Sequence, residues 1–222
     1  MSPRVHLVVM GIAPAYLVES DTGLVLVDAG LPGYERRVLR RMQALERADL
    51  RLIYITHAHL DHYGSAAALR RLTGAAIAVH RADADVMACG ASPVGATRGR
   101  GRVMWPILRQ FERLLPHEPA PPDVLLNDGD DLRAYGLDAV VVHTPGHTPG
   151  STCLVVEGRL AFVGDLLANS ILPRVQCSYA HDWSLISQSL ARVQALNPAW
   201  VYPGHGRPLS GERFRRLTVP RE

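Results

Sequence analysis

The chain contains no lysine; all 24 of its basic residues are arginine, set against 21 acidic ones for a formal charge of +3. That small surplus gives little ground for a nucleic-acid partner. Cysteine is nearly absent. Cys89, Cys153 and Cys177 are odd in number, far apart and without a CxxC pair, so neither a disulfide framework nor a thiolate metal site is expected. Free thiols fit a reducing compartment, and a cytoplasmic location is expected. No apolar run approaches the ~20 residues that would span a membrane. The first apolar stretch, Val5-His6-Leu7-Val8-Val9-Met10, reads as a strand rather than a leader.

What is present suits a globular fold with a sizeable core: 222 residues, 47% hydrophobic and 20% charged. Strands are expected at 5–10, 15–19, 24–27, 52–55 and 76–79, with a turn at Asp21-Thr22-Gly23. Amphipathic or Ala/Leu-rich helices are expected at 34–47 and 65–72, the second stopped by Gly74. The segment 82–122 breaks this rhythm with repeated Gly and Pro, and reads as an insertion carrying one amphipathic helix. In that helix Val103, Met104, Ile107, Leu108, Phe111, Leu114 and Leu115 recur at helical spacing. The insertion covers the core, walls a substrate pocket, or forms a homodimer contact anchored by Trp105 and Phe111. Strands resume at 124–126 and 137–142, then as a hairpin at 153–156 and 160–163. A helix follows at 183–196 and a last strand at 200–202.

The most informative stretch is Thr56-His57-Ala58-His59-Leu60-Asp61-His62, directly after the strand at 52–55. A strand that ends in a loop aims polar side chains from a rigid base. Alternate residues of an extended segment point the same way, so His57 and His59 can face one centre while Asp61 and His62 turn toward another. His147, Asp165 and His205 each follow a further expected strand and are flanked by Gly or Pro, which lets the backbone turn sharply. His and carboxylate donors suit Zn²⁺, and also Fe²⁺ or Mn²⁺.

The succession His-x-His-x-Asp-His, Pro-Gly-His, Gly-Asp and Gly-His-Gly resembles that of the metallo-β-lactamase-fold hydrolases, from the strand before Asp28 to His205. The resemblance implies an α/β architecture, an αβ/βα sandwich of two mixed β-sheets flanked by helices in a single domain over 1–222, with two divalent metal ions at one edge. It implies that His57, His59 and His147 hold the first metal, that Asp61, His62 and His205 hold the second, and that Asp165 bridges them. Asp28 would stand behind the site and orient a ligand imidazole.

Such a site implies hydrolysis of an ester, thioester or lactone by a bridging hydroxide, with Asp61 as catalytic proton carrier. The full ligand set resembles that of glyoxalase II thioesterases and lactonases. Only 17 residues follow His205 (222 − 205), however, so a C-terminal glutathione-gripping domain is not expected. The lactonase tyrosine after the bridging aspartate is also missing, since Leu166, Leu167, Ala168 and Asn169 stand there. Tyr16, Tyr179 and His181 are the candidate substitutes, of which Tyr179 and His181 are the expected substrate contacts. A small-molecule substrate is expected, with no nucleic-acid or membrane partner. Two alternatives use the same residues: a mononuclear-iron oxygenase of the persulfide dioxygenase type, and a non-catalytic binding protein.

Overall fold

The central strands are apolar on both faces, and the computed structural model, which describes residues 3–219 except Asp21 and Pro116, shows what covers each face. The expected turn residue Asp21 therefore lies outside the described residues. The first half supplies β1 (Arg4–Val9), β2 (Pro14–Ser20), β3 (Gly23–Val27), α1 (Glu35–Ala44), β4 (Leu50–Tyr54), α2 (Leu60–Tyr63), α3 (Ala66–Thr73) and β5 (Ala76–His80). The segment that follows holds α4 (Ala84–Ala88), β6 (Ala96–Thr97) and α5 (Gly101–Leu114) before β7 (Val124–Leu126). The second half is β8 (Ala139–His143), β9 (Thr152–Val156), β10 (Leu160–Asn169), β11 (Arg174–Val175), β12 (Tyr179–Ala180), α6 (Trp183–Ala195), β13 (Trp200–Gly206), β14 (Leu209–Ser210) and α7 (Gly211–Arg215).

Two mixed sheets result. One runs β1-β2-β3-β4-β5-β7, and the other β14-β13-β10-β9-β8 with β11 attached to β10. The period-2 alternation of β3 assigns its side chains to two layers. Leu24 and Leu26 meet Val38 and Met42 of α1 and Leu69 of α3 in the outer layer, while Val25 and Val27 face Leu154, Val156 and Phe162 of the other sheet. A third layer joins Val155, Ala161 and Val163 to Ile186, Leu190 and Val193 of α6 and to Phe214 of α7. Helix, sheet, sheet and helix stack around three apolar layers, which is the expected αβ/βα sandwich. Buried tyrosines stitch its middle. Tyr16 donates to the Pro203 carbonyl at 2.8 Å, and Tyr54 donates to Thr152 Oγ1 at 2.6 Å, so each phenol crosses from one sheet to the other. Tyr16 is thereby committed to packing rather than to a substrate.

Three expectations change. The strands expected to stop before Asp165 and His205 continue through them as β10 and β13. Their pairing slips twice, around Gly164 and again before Ala168. Gly164 has φ +50° and packs against the Thr56 side chain, so a Cβ there would collide. The slipped register re-aims Asp165 without ending the strand, as a bulge does. Second, the apolar stripe of α5 does not cover the core. Val103 is 72% exposed and Leu114 82%, while Trp105, Leu108 and Glu112 are half-buried on the opposite side. Third, helix 34–47 is shorter and ends at Ala44. Gly74 ends α3 as expected, in the left-handed conformation. All three cysteines are unpaired, and no helix of the described residues is long and apolar enough to cross a membrane.

Phe162 sits in the middle layer with ring centroids 5.4 Å from Tyr16 and 4.6 Å from Tyr202. Phe162→Ala should destabilise the protein by about 3–5 kcal/mol in urea unfolding. A loss below about 1 kcal/mol would show that the inter-sheet layer closes over the gap.

Candidate metal centre

The site forms where the C-terminal ends of the parallel strands of both sheets meet. After β4, Thr56 to His59 run as a loop, and the short helix α2 carries Asp61 and His62. The loop after β8 supplies His147, β10 supplies Asp165 and β13 supplies His205. These side chains fall into three overlapping clusters whose donor atoms lie within 4.8 Å of one another: His57/His59/His147, His57/His62/Asp165 and Asp61/His62/His205. Asp165 touches both ends of the group. Its Oδ2 is 3.4 Å from His147 Nε2 and 3.3 Å from His205 Nε2, and its Oδ1 is 3.2 Å from His62 Nε2. Asp61 Oδ2 is 3.4 Å from His205 Nε2. His57, His59, His62 and His147 are buried, and His205 is partly exposed.

Outer hydrogen bonds decide what the inner nitrogens offer. His205 Nδ1 faces the Ile12 carbonyl at 3.1 Å and His59 Nε2 the Pro93 carbonyl at 3.0 Å. His62 Nδ1 faces Asp28 Oδ2 at 2.8 Å. Each partner only accepts, so the imidazole donates outward and its inner nitrogen keeps a lone pair. His57 Nδ1 faces Thr56 Oγ1 at 3.1 Å, and that hydroxyl's own proton is directed at Asp28, so His57 follows the same rule. His147 Nδ1 lies 3.0 Å from both the Tyr179 carbonyl and Gln176 Nε2. Lone pairs therefore converge with His57 Nε2 and His147 Nε2 only 3.1 and 3.0 Å from His59 Nδ1. Tetrahedral coordination with ~2.05 Å metal–nitrogen bonds sets nitrogens roughly 3.3 Å apart. His62 Nε2 and Asp165 Oδ1 are buried with no hydrogen-bond partner. Acceptors left free at this spacing suit a shared cation, and the residues fit divalent metals.

Two buried carboxylates hold the loops. Asp28 adopts φ 61°, a costly left-handed backbone for a non-glycine residue. It is retained where its carboxylate accepts from Thr56 N at 2.8 Å, from Thr56 Oγ1 and from His62 Nδ1. Asp83, which the sequence did not single out, accepts from Ala58 N at 2.9 Å, Thr148 Oγ1 at 2.7 Å and Gly150 N at 2.7 Å. It thus ties the loop of His57 and His59 to the loop of His147. Its only sequence signal was an acidic residue just after β5, which is common on surfaces. Gln176 is a second such residue. Its Oε1 accepts from the 177 and 178 amides, both at 3.0 Å, and its Nε2 donates to the Asp165 carbonyl at 3.1 Å.

The electrostatics divide the site. Burial, reinforced by neighbouring imidazoles, holds His57 well below the ordinary histidine value; burial also lowers His59 and pulls His147 down to about 3. Burial pulls His205 down too, but Asp165 and Asp61 outweigh it and lift the group to about 9. His62 is likewise raised, with Asp61, Asp28 and Asp165 overcoming burial. Around the centre, Tyr179 projects from β12 with its phenol pushed up to about 12 by burial and by Asp165, so it is a neutral donor. Glu112 on α5 is held at about 7 by burial and then by Asp61. His181 is exposed, beside the Pro93 carbonyl at 3.3 Å, and lines neither of the cavities that open on the centre.

Comparison with known proteins agrees with this geometry. Residues 9–205 match the family model described as the metallo-beta-lactamase superfamily. The chain is 27% identical over 193 residues to the Haemophilus influenzae protein named hydroxyacylglutathione hydrolase GloC, covering 85% of this chain and 82% of that one. It is 30% identical over 205 residues to the human protein named acyl-coenzyme A thioesterase MBLAC2, covering 89% of this chain and 72% of that one. Among solved structures, TTHA1623, crystallised in a di-iron-bound form, superposes with a TM-score of 0.72 at 28% identity, covering 99% of each chain.

Two outcomes are expected. Asp83→Ala should weaken metal binding at the His57/His59/His147 cluster about tenfold or more, read by competition with a chromophoric chelator, while Asp83→Asn, which keeps one acceptor, should lose less. Equal affinities in both variants and the parent would remove Asp83 from this role. The pH dependence follows from the raised groups: at pH 7 His62 and His205 carry extra protons, and the other three imidazoles do not. Calorimetry in buffers of different ionisation enthalpy should show the first metal equivalent releasing almost no protons and the second about one to two. That release should fade as pH rises through about 9. Equal release by both equivalents would contradict the division.

Proposed function

The chain belongs to the metallo-beta-lactamase superfamily, and from that premise we propose that it is a dinuclear metal-dependent hydrolase acting on an ester, thioester or lactone carbonyl. The observation that carries the reading is the convergence of inner lone pairs from both sheets, with His62 Nε2 and Asp165 Oδ1 buried and unpartnered. In this reading His57, His59 and His147 hold one ion, Asp61, His62 and His205 hold the other, and Asp165 belongs to both. Zinc suits the donor set best, with iron or manganese as alternatives. A pair of such ions supplies Lewis-acid polarisation of a carbonyl and a water whose pKa falls from ~15.7 to about 7.

The chain's own residues do the rest. The Asp61 carboxylate accepts the proton of the attacking water and returns it to the leaving atom. Tyr179, kept protonated, donates to the substrate's carbonyl or carrier oxygen. The outer acceptors at Asp28, Ile12 and Pro93 keep three imidazoles in the tautomer that leaves the inner nitrogen free. The relatives named as hydroxyacylglutathione hydrolase and acyl-coenzyme A thioesterase support a thioester among the three carbonyl classes.

Asp165→Ala should reduce metal content from two equivalents to one or fewer by elemental analysis. It should also lower turnover of a generic thioester about 10²-fold or more. Unchanged metal content in that variant would refute the shared ligand. One iron per chain, with oxygen uptake on a glutathione persulfide and no ester hydrolysis, would replace the hydrolase reading with the oxygenase one.

A further inference from the structure

Two cavities open on the metal centre, both largely apolar and both bounded by Asp165, Tyr179 and His205, but arginines line only one of them. One is a slot of ≈ 70 Å³ under α5, walled by Leu31, Val94, Trp105, Leu108 and Phe111, with Glu112 at its edge. The other is a cleft of ≈ 220 Å³ between the segment 168–179 and the start of α5, rimmed by Arg100 and Arg174. Both arginines are exposed, and neither guanidinium has a hydrogen-bond or ion-pair partner among the described residues.

The fold holds both arginines in place. Arg174 lies on β11 opposite Ala168, and Ala168 lies opposite His205 on the far side of β10. Two strand spacings set the Arg174 backbone roughly 10 Å from that of His205. Arg100 immediately precedes α5. There β6 pairs with β12 at Thr97 and Tyr179, the Arg98 amide donates to the Ser178 carbonyl at 2.8 Å, and Gly101 approaches the same carbonyl too closely for any Cβ. Arg100 is thereby fixed across the cleft mouth from β11.

We propose that these cavities divide the substrate, the slot receiving an apolar acyl group and the cleft receiving an anionic carrier whose charge is met by Arg100 and Arg174. A simple alcohol or amine leaving group would not reach the rim, whereas an extended thiol carrier bearing phosphate or carboxylate would. Guanidinium forks match both anions bidentately. The slot, at ≈ 70 Å³ against ≈ 220 Å³, is the smaller of the two and sets the limit on acyl length. The inference rests on the hydrolase reading. In the balanced step, water oxygen forms the new bond to the acyl carbon and the carbon–sulfur bond breaks. The sulfur departs with the bonding pair and takes one water proton, and the new carboxylic acid loses the other to solvent.

The metal-loaded full-length protein is assayed on acetyl, butyryl and decanoyl thioesters of coenzyme A, of glutathione and of neutral N-acetylcysteamine. Binding of free coenzyme A and of free glutathione is followed in parallel by calorimetry. At least one anionic carrier should be preferred over the neutral one through KM. In R100Q/R174Q that preference should fall about tenfold, and added salt should weaken it in the parent. A preference for coenzyme A identifies phosphate as the anion, and one for glutathione identifies carboxylate. Leu108→Trp should shift the chain-length profile toward acetyl. An unchanged carrier ratio in R100Q/R174Q, with both proteins melting cooperatively, would overturn the cleft, and an unchanged profile in Leu108→Trp would overturn the slot. Failure to turn over any thioester would instead sink the hydrolase reading. Binding of coenzyme A or of glutathione weakened in R100Q/R174Q would still stand for the cleft, and unweakened binding of both would remove it too.

Discussion

Imidazole lone pairs pressed to about 3 Å from one another are an unstable arrangement in a buried space, and this protein builds one deliberately. Without a cation or a proton the donor atoms repel, and a neutral His62 Nε2 and Asp165 Oδ1, 3.2 Å apart, offer each other only lone pairs. Protons partly relieve this where carboxylates are near, which is why His62 and His205 hold theirs so firmly. In the opposite cluster burial outweighs the pull of Asp165, and it stays neutral. The same seven side chains thus offer a proton-free cluster and a protonated one, and this asymmetry follows from where Asp61 and Asp165 sit.

Holding such a cluster requires a rigid frame. The frame is the pair of sheets, each closed on its outer face by helices and joined in the middle by Phe162, Tyr16, Tyr54 and their neighbours. The phenols of Tyr16 and Tyr54 reach across to Pro203 and Thr152, so each sheet's register constrains the other's site-bearing loop. Asp28 and Asp83 then convert that rigidity into loop geometry. Each spends a buried carboxylate on backbone amides next to ligands, and Asp28 also sets a histidine tautomer. The strained backbone at Asp28 is tolerated because three donors over-determine its position.

The outer surroundings of the centre follow a different rule. Helix α5 contributes little to the core: most of its apolar stripe is exposed, and Trp105, Leu108, Phe111 and Glu112 line the slot beside the site. A helix with few buried contacts is free to vary, and here it is one wall of the space above the His/Asp centre. The segment 168–179 forms the other side, anchored by Gln176 to Asp165 and to its own backbone.

Much of this was legible in the residues themselves. Continuous β-branched runs and Ala/Leu-rich helices announced a buried α/β core, because both faces of its central strands are covered. The motif at 57–62 announced metal chemistry, because alternating side chains after a buried strand can share a centre. What the sequence could not convey is any property that depends on separation in space. Asp83 and Gln176 look like ordinary polar residues until folding brings them to amides and ligands far along the chain. The bulge that turns Asp165 inward depends on how β10 pairs with β13, and local propensity is blind to that pairing. The helical spacing of α5 was read correctly, yet periodicity states only that a helix has an apolar face, and the packing of neighbours decides whether that face meets a core, a cavity or solvent. Residue chemistry determined which donors this protein has; only the tertiary structure decided which of their lone pairs meet, because that depends on the register of two sheets and on the hydrogen bonds behind each ring.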